Sequence, residues 1–234
     1  MKKGLVDTNT AALRERIDLN KKSDHNLEDW IVQQSSIESG MSILDLGCGT
    51  GKQIKAINRT FDVNIVGIDV SPEGLDFAGS KTTLICGSFD DNIIYGSFDR
   101  ILSTYAIYYS QNMMDTITRY LKMLETNGEM FIVGAGNKTN QEVYSIVNSL
   151  IDEKGLDVPH RETHDFIGIT DINSLTGEVM RLENRIHFDN KEDVMKWWSN
   201  HNSYIAELHE DLKKRLPEEG LSLTKNVLGV TISV

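Results

Sequence analysis

The chain has 234 residues, 39% of them hydrophobic, which suits one globular domain with a sizeable buried core. Its formal net charge of -11 repels phosphate backbones and anionic membrane surfaces, so nucleic acid is a disfavoured partner and no membrane association is expected. No stretch approaches the roughly 20 apolar residues of a membrane span, Met1 to Leu13 lacks the apolar core of a signal peptide, and Cys48 and Cys86 stand outside any CxxC or Cys/His grouping. The expectation is a cytoplasmic protein with reduced thiols and no metal site.

The first 40 residues are polar, with helical spacing at Leu13 and Ile17 and again at Leu27, Trp30, Ile31 and Gln34, and they read as an N-terminal helical lid ahead of a domain spanning 41–234. From Met41, the run Ile43, Leu44 and Leu46 reads as a strand ending in a glycine turn over 47–51, with helical spacing resuming at Ile54 and Ile57. A buried strand over Asn64 to Ile68 closes at Asp69, and Ser71-Pro72-Glu73 opens a helix that includes Leu75 to Gly79. Short strands follow over Thr83 to Cys86 and Phe98 to Ser103, then a helix from Met113 to Leu124 that Thr126-Asn127-Gly128 should stop, then a fifth strand from Glu129 to Val133.

Beyond Gly136 the pattern predicts a helix over Gln141 to Ile151, a loop over Asp157 to Ile169 and a helix cap at Thr170 to Asn173. A strand follows from Arg181 to Phe188, then amphipathic helices over Asn190 to Asn200 and Ser203 to Leu216, and an alternating strand from Leu223 to Val234. Strands alternating with helices imply a mainly parallel sheet covered on both faces.

The informative motif is Asp45-Leu46-Gly47-Cys48-Gly49-Thr50-Gly51. Glycines at alternate positions let the backbone turn tightly and approach a ligand, and the helix N-terminus beyond adds amide donors and positive dipole. The spacing is GxGxG, not the GxGxxG of dinucleotide binders, and no Lys-Ser or Lys-Thr pair follows as a P-loop requires. Asp69, about 20 residues on and at the end of the next strand, is placed to accept hydrogen bonds from both ribose hydroxyls.

Residues Ile43 to Gly51 resemble the cofactor-binding first motif of class I S-adenosylmethionine-dependent methyltransferases. Val66-Gly67-Ile68-Asp69-Val70-Ser71, Gly87-Ser88-Phe89-Asp90, Phe98 to Ser103 and Arg119-Tyr120-Leu121-Lys122 stand in the family's order. The resemblance implies a Rossmann-like α/β fold, with a seven-stranded mostly parallel sheet, an antiparallel final strand and helices on both faces. It implies S-adenosylmethionine as cofactor and S-adenosylhomocysteine as product. By the same resemblance Asp45, Gly47, Cys48, Gly49 and Gly51 hold the methionine end, Asp69 and Val70 the ribose, and Ser88 and Phe89 the adenine, with Asp90 and Asp91 open as alternatives there. Ser103 to Tyr105 line the reaction face.

Methyl transfer from a sulfonium needs donor and acceptor held in line, plus a base where the nucleophile carries a proton. Candidates for the base are His160 and His164, in the irregular stretch after the fifth strand, while Tyr108, with Tyr105 and Tyr109, can form an aromatic wall. The spacing of the two histidines alone does not argue for a metal. Trp197, Trp198 and Tyr204 form an aromatic cluster read as core packing, with a cap over the substrate site or a dimer contact as the alternative, and Lys21, Lys22, His25 and Trp30 belong to the lid. Ser103 to Ser110 lacks the Asn/Asp-Pro-Pro-Tyr sequence of enzymes that methylate nucleobase or glutamine amines. The expected function is methyl transfer to an O, N or C atom of a small metabolite by a monomer or homodimer. A protein or RNA methyltransferase, or a non-catalytic cofactor-binding module, is the alternative.

Overall fold

Strands buried on both faces need helices above and below them, and this chain supplies them by alternating the two. The computed structural model describes residues 22–71, 81–91, 93–166 and 177–233. In chain order it contains α1 (Leu27–Gln34), β1 (Ser42–Leu46), α2 (Lys52–Thr60), β2 (Asn64–Asp69), β3 (Thr82–Cys86), β4 (Phe98–Thr104), α3 (Met113–Leu121), β5 (Leu124–Ala135) and α4 (Gln141–Lys154). Then follow β6 (Gly177–Leu182), β7 (Arg185–His187), α5 (Lys191–Ser199), α6 (His209–Arg215), β8 (Ser222–Thr224) and β9 (Val227–Ser233).

The main sheet has the order β3-β2-β1-β4-β5-β9-β6, with β1 to β5 parallel and β9 antiparallel to both β5 and β6. This is the expected Rossmann-like sheet with its reversed final strand. The chain runs outward from β1 to β3 and returns to place β4 on the other side of β1. Ligands in open α/β sheets bind at that switch point, outside the carboxyl ends of β1 and β4.

Strand alternation divides the core. On one face Ile43, Leu102, Phe131 and Val133 pack with Ile54 and Ile57 of α2 and Ile31 of α1. On the other, Leu44, Leu46, Ile101, Met130 and Ile132 pack with Ile117 and Tyr120 of α3. Helix α1 starts at Asn26, whose side chain accepts from the Asp29 amide, and seats Trp30 on Phe131 with ring centroids 6.1 Å apart. A further core joins α4, α5, α6, β7 and β8 around Trp197 and Trp198, which are fully buried there with Tyr204 against them.

Five elements differ from the sequence expectations. The helix from Met113 stops at Leu121, because Leu124 already pairs with Phe98 in the sheet. Asn127 and Gly128 do not cap it; they form a bulge inside β5, where the register jumps from Phe98↔Leu124 to Arg100↔Glu129. Asn127 has φ 65°, and a Cβ on Gly128 would lie 2.8 Å from the Glu125 carbonyl. The fifth strand is therefore longer than Glu129 to Val133.

The predicted strands 181–188 and 223–234 each break in two: β6 and β9 pair in the main sheet, and β7 and β8 form a separate ribbon. The break is fastened by buried Asn184, whose carbonyl accepts from the Lys225 amide and whose side chain bonds the His25 backbone in both directions. The helix expected from Ser203 begins only at His209, after a 3-10 turn at Ala206–Leu208. Before that, the Ser203 amide donates to His201 Nδ1 and its carbonyl accepts from Arg161, which holds the segment out of a helix. The helix expected at Leu75 to Gly79, the cap at 170–173, and Leu13, Ile17 and Lys21 lie outside the described residues.

Candidate functional site

The glycine turn is tied to its neighbour strand: the amides of Gly47 and Cys48 both donate to the Ile68 carbonyl, at 2.8 and 3.1 Å. Gly47 has φ +74°, and a Cβ there would lie 2.3 Å from the Cβ of Ala106, so a larger residue meets both strain and a clash. Gly49 has φ +50° but points its missing Cβ into open space, with Asp69 Oδ2 and the Gly47 carbonyl the nearest atoms, both at 4.0 Å. Gly51 caps α2 without a side-chain hydrogen bond, which leaves first-turn amides and the positive dipole end facing the turn.

Two carboxyl groups flank this space. Asp69 Oδ2 accepts from the Gly49 amide at 2.8 Å and Oδ1 from the Ser71 amide at 2.9 Å. Each oxygen keeps a further lone pair for a ribose hydroxyl. Asp45 is 1% exposed and its Oδ2 has no hydrogen-bond partner. Burial, reinforced by the charge of Asp69, pushes its carboxyl up to about 7.

A buried acceptor without a donor is costly unless a ligand completes it. The residues thus fit the cofactor named by the resemblance: an orphaned carboxylate for its ammonium, open space over Gly49, and a strand-end acid for its ribose.

The loop after β3 borders the turn through Phe89, whose ring lies 3.6 Å from the ideal Cβ position of Gly47. Ser88 Oγ accepts from the Asp90 amide. The Asp90 carboxylate is occupied elsewhere, accepting from Ser110 Oγ at 2.7 Å, the Gln111 amide at 2.9 Å and Thr116 Oγ1 at 3.0 Å. Burial works to raise its pKa, but these donors and the charge of Arg119 outweigh it and hold the carboxyl below its ordinary value. Arg119 donates to the Phe89 and Asp90 carbonyls at 2.6 and 3.0 Å, and Tyr120 OH to the Phe89 carbonyl at 2.8 Å. The loop is thereby clamped onto α3.

At the exit of β4, Ser103 is fully buried and donates its hydroxyl to the Leu46 carbonyl, while Tyr105 takes φ 55° and its amide donates to Val133. Burial pushes the Tyr105 phenol up. Tyr108 lies with its ring centroid 4.8 Å from Tyr109 and 6.0 Å from Phe166. The Phe166 ring occupies the space a Cβ on Gly134 would need, 2.4 Å away. These three rings form an aromatic wall where β4 and β5 end.

The structure brings Tyr108 into that wall and directs the two imidazoles elsewhere. His160 pairs with Asp152 of α4 at 2.8 Å, and His164, 82% exposed at its side chain, pairs with Glu162 at 3.0 Å. Cys48 buries its thiol against Gly67 in the α2 core, so its share in the turn is backbone, and Val70 is exposed. Lys22 pairs with Asp189, and the His25 carbonyl accepts from Asn184. Sequence reading missed Arg119 and Tyr120 as loop clamps. It also missed Gln53, whose buried amide atoms have no partner; Thr104, inside the Ser103 to Tyr105 stretch expected at the reaction face, likewise has a buried hydroxyl without one. A polar residue at an otherwise apolar helix position, as Gln53 is beside Ile54 and Ile57, was the available signal.

Residues 44–132 match the methyltransferase domain family. The malonyl-acyl-carrier protein O-methyltransferase of Priestia megaterium is 24% identical over 169 residues, covering 70% of this chain and 61% of that enzyme. The chain thus spans less than two thirds of that relative's length. Among solved structures, the YcgJ protein from Bacillus subtilis matches with a TM-score of 0.56 at 14% identity, over 88% of this chain and 97% of that one. Phosphoethanolamine N-methyltransferase 2 of Haemonchus contortus, solved with phosphomonomethylethanolamine and S-adenosylhomocysteine, matches at 0.56 and 15% identity, over 97% of this chain and 57% of that one. At such identities the structural likeness speaks for the fold.

Proposed function

From a class I S-adenosylmethionine-dependent methyltransferase domain at the heart of the chain, we propose that this protein transfers a methyl group to an O, N or C atom of a small metabolite. The observation that carries the reading is Asp45 Oδ2, buried without a partner beneath the glycine turn and across from Asp69. The cofactor supplies an electrophilic methyl on a sulfonium. In this reading Asp45 holds its ammonium, Asp69 its ribose hydroxyls, and Phe89 borders its adenine.

The chain's own contribution is orientation and exclusion of water. The clamped 88–91 loop fixes one end of the cofactor and Asp45 the other. The wall of Tyr108, Tyr109 and Phe166 offers ring faces beside the reaction face, suited to a sulfonium or an apolar acceptor. The net charge of -11 favours a small acceptor over a phosphate-rich polymer.

The test is turnover. Purified protein with S-adenosylmethionine and fractionated metabolite extracts, assayed for S-adenosylhomocysteine by mass spectrometry, is expected to respond to a small-molecule fraction. Turnover only with protein or RNA fractions contradicts the substrate class, and none in any fraction contradicts an enzymatic role.

A further inference from the structure

Among the described residues, the buried side-chain atoms without a hydrogen-bond partner are Asp45 Oδ2, both Gln53 amide atoms, Thr104 Oγ1, Asn140 Oδ1 and Trp198 Nε1. The last two belong to the packed cluster around His201, which stacks on Trp198 and sits 3.4 Å from Asn140. The other four belong to Asp45, Gln53 and Thr104, near the ends of β1 and β4 and in the first turn of α2.

Asp45 is level with Leu102 in the β1–β4 register, and Thr104 stands two residues beyond Leu102. Alternation therefore puts Asp45, Leu102 and Thr104 on one face. That face is the one α2 covers, since Ile43 and Leu102 share a core with Ile54 and Ile57. Gln53 is in the first turn of α2, 6% exposed, on the buried side with Ile54, Ala56 and Ile57. A carboxylate, a primary amide and a hydroxyl, all buried and without hydrogen-bond partners, are thus placed on the α2 side of the sheet, where β1 and β4 end and α2 begins.

Native chains rarely leave a buried amide unpaired, and a leucine or methionine would fill the same volume without that cost. Asp45 when ionised can only accept, whereas the Gln53 amide both donates and accepts. The set is complementary to a zwitterion, which presents an ammonium and a carboxylate a few bonds apart.

We propose that Gln53, assisted by Thr104, is a specificity determinant for the amino-acid end of the cofactor: its NH2 donates to the carboxylate while its oxygen, with Asp45, accepts from the ammonium. This rests on the reading that the glycine turn takes S-adenosylmethionine. It makes the site select adenosyl compounds that keep an α-amino-acid tail over those that lack one.

The experiment is calorimetry on the full chain with S-adenosylhomocysteine and with 5′-methylthioadenosine, which keeps the adenosine and thioether and lacks the amino-acid end. Gln53→Leu is expected to weaken S-adenosylhomocysteine by about tenfold or more and leave methylthioadenosine within about twofold, with Thr104→Val giving a smaller loss of the same pattern. If Gln53→Leu does not fold, Gln53→Met keeps the length of the side chain and carries the same expectation. Equal losses for both ligands, or an unchanged constant for S-adenosylhomocysteine, overturn the role of Gln53 while the cofactor reading stands. Wild-type protein that binds neither compound overturns the cofactor reading and this inference with it.

Discussion

Asp69 Oδ2 accepts a 2.8 Å hydrogen bond from the Gly49 amide, fastening the acid at the end of β2 to the turn at the end of β1. The pair shapes the space over Gly49 before any ligand arrives. Asp69→Ala removes both the ribose acceptor and the anchor of the turn, and is expected to weaken S-adenosylhomocysteine by about 1 to 3 kcal/mol in calorimetry. An unchanged dissociation constant contradicts the ribose assignment.

Asp45 gives the site a pH dependence. Its carboxyl lies at about 7 in the fold against an ordinary 3.8, so between those values the folded chain binds more protons than the unfolded one. The contribution of this group to stability therefore falls as pH rises from 3.8 to about 7 and is constant above. Asp45→Asn is expected to flatten that part of the melting profile and raise the apo melting temperature at pH 8. Cofactor affinity runs the other way, strengthening as pH rises toward 7, because the ammonium requires the ionised form. Binding below pH 7 should release a proton, seen as a dependence of the binding enthalpy on buffer ionisation. A wild-type melting profile identical to that of Asp45→Asn contradicts this account.

Gly47 and Gly49, in the turn before α2, fail differently when substituted. Gly47→Val places a side chain into Ala106 at a positive φ and is expected to lower stability by more than about 2 kcal/mol in denaturant unfolding. Gly49→Val meets open space and a strained backbone, so it should leave a folded protein that no longer binds the cofactor. Retained binding in Gly49→Val means that the space above the turn is not the cofactor's.

Arg119 and Tyr120 act through the loop they hold. Tyr120→Phe loses one hydrogen bond to the Phe89 carbonyl and should cost about 1 kcal/mol of stability. Arg119→Met should weaken S-adenosylhomocysteine and methylthioadenosine alike, since the adenine end is common to both. A loss confined to S-adenosylhomocysteine contradicts the clamp.

The sheet was readable because its strands are short apolar runs punctuated by glycine, and the turn because Asp45 to Gly51 carries both spacing and charge. Element ends were not, where tertiary partners decide them. Asn127-Gly128 has the composition of a helix cap, yet the register of β5 against β4 makes it a bulge. Asn184 breaks a continuous apolar alternation by bonds to His25 and Lys225, neither of them near in sequence.

The site was legible where one local segment forms it and illegible where it is assembled. Asp90 resembles an adenine ligand by position, but its donors come from Ser110, Gln111 and Thr116, some 20 residues on. His160 has the chemistry of a base, but Asp152 on α4 draws it aside. Gln53 gives only the signal of a polar residue on the apolar side of its helix, and its role emerges only with its burial.

The central claim is that this turn binds the adenosyl cofactor, and isothermal calorimetry on the purified chain tests it most directly. Micromolar binding of S-adenosylmethionine and S-adenosylhomocysteine, with no heat from nicotinamide dinucleotides, is the predicted result. Binding of a dinucleotide in their place, or no binding of either adenosyl compound at any pH from 6 to 8, would contradict it.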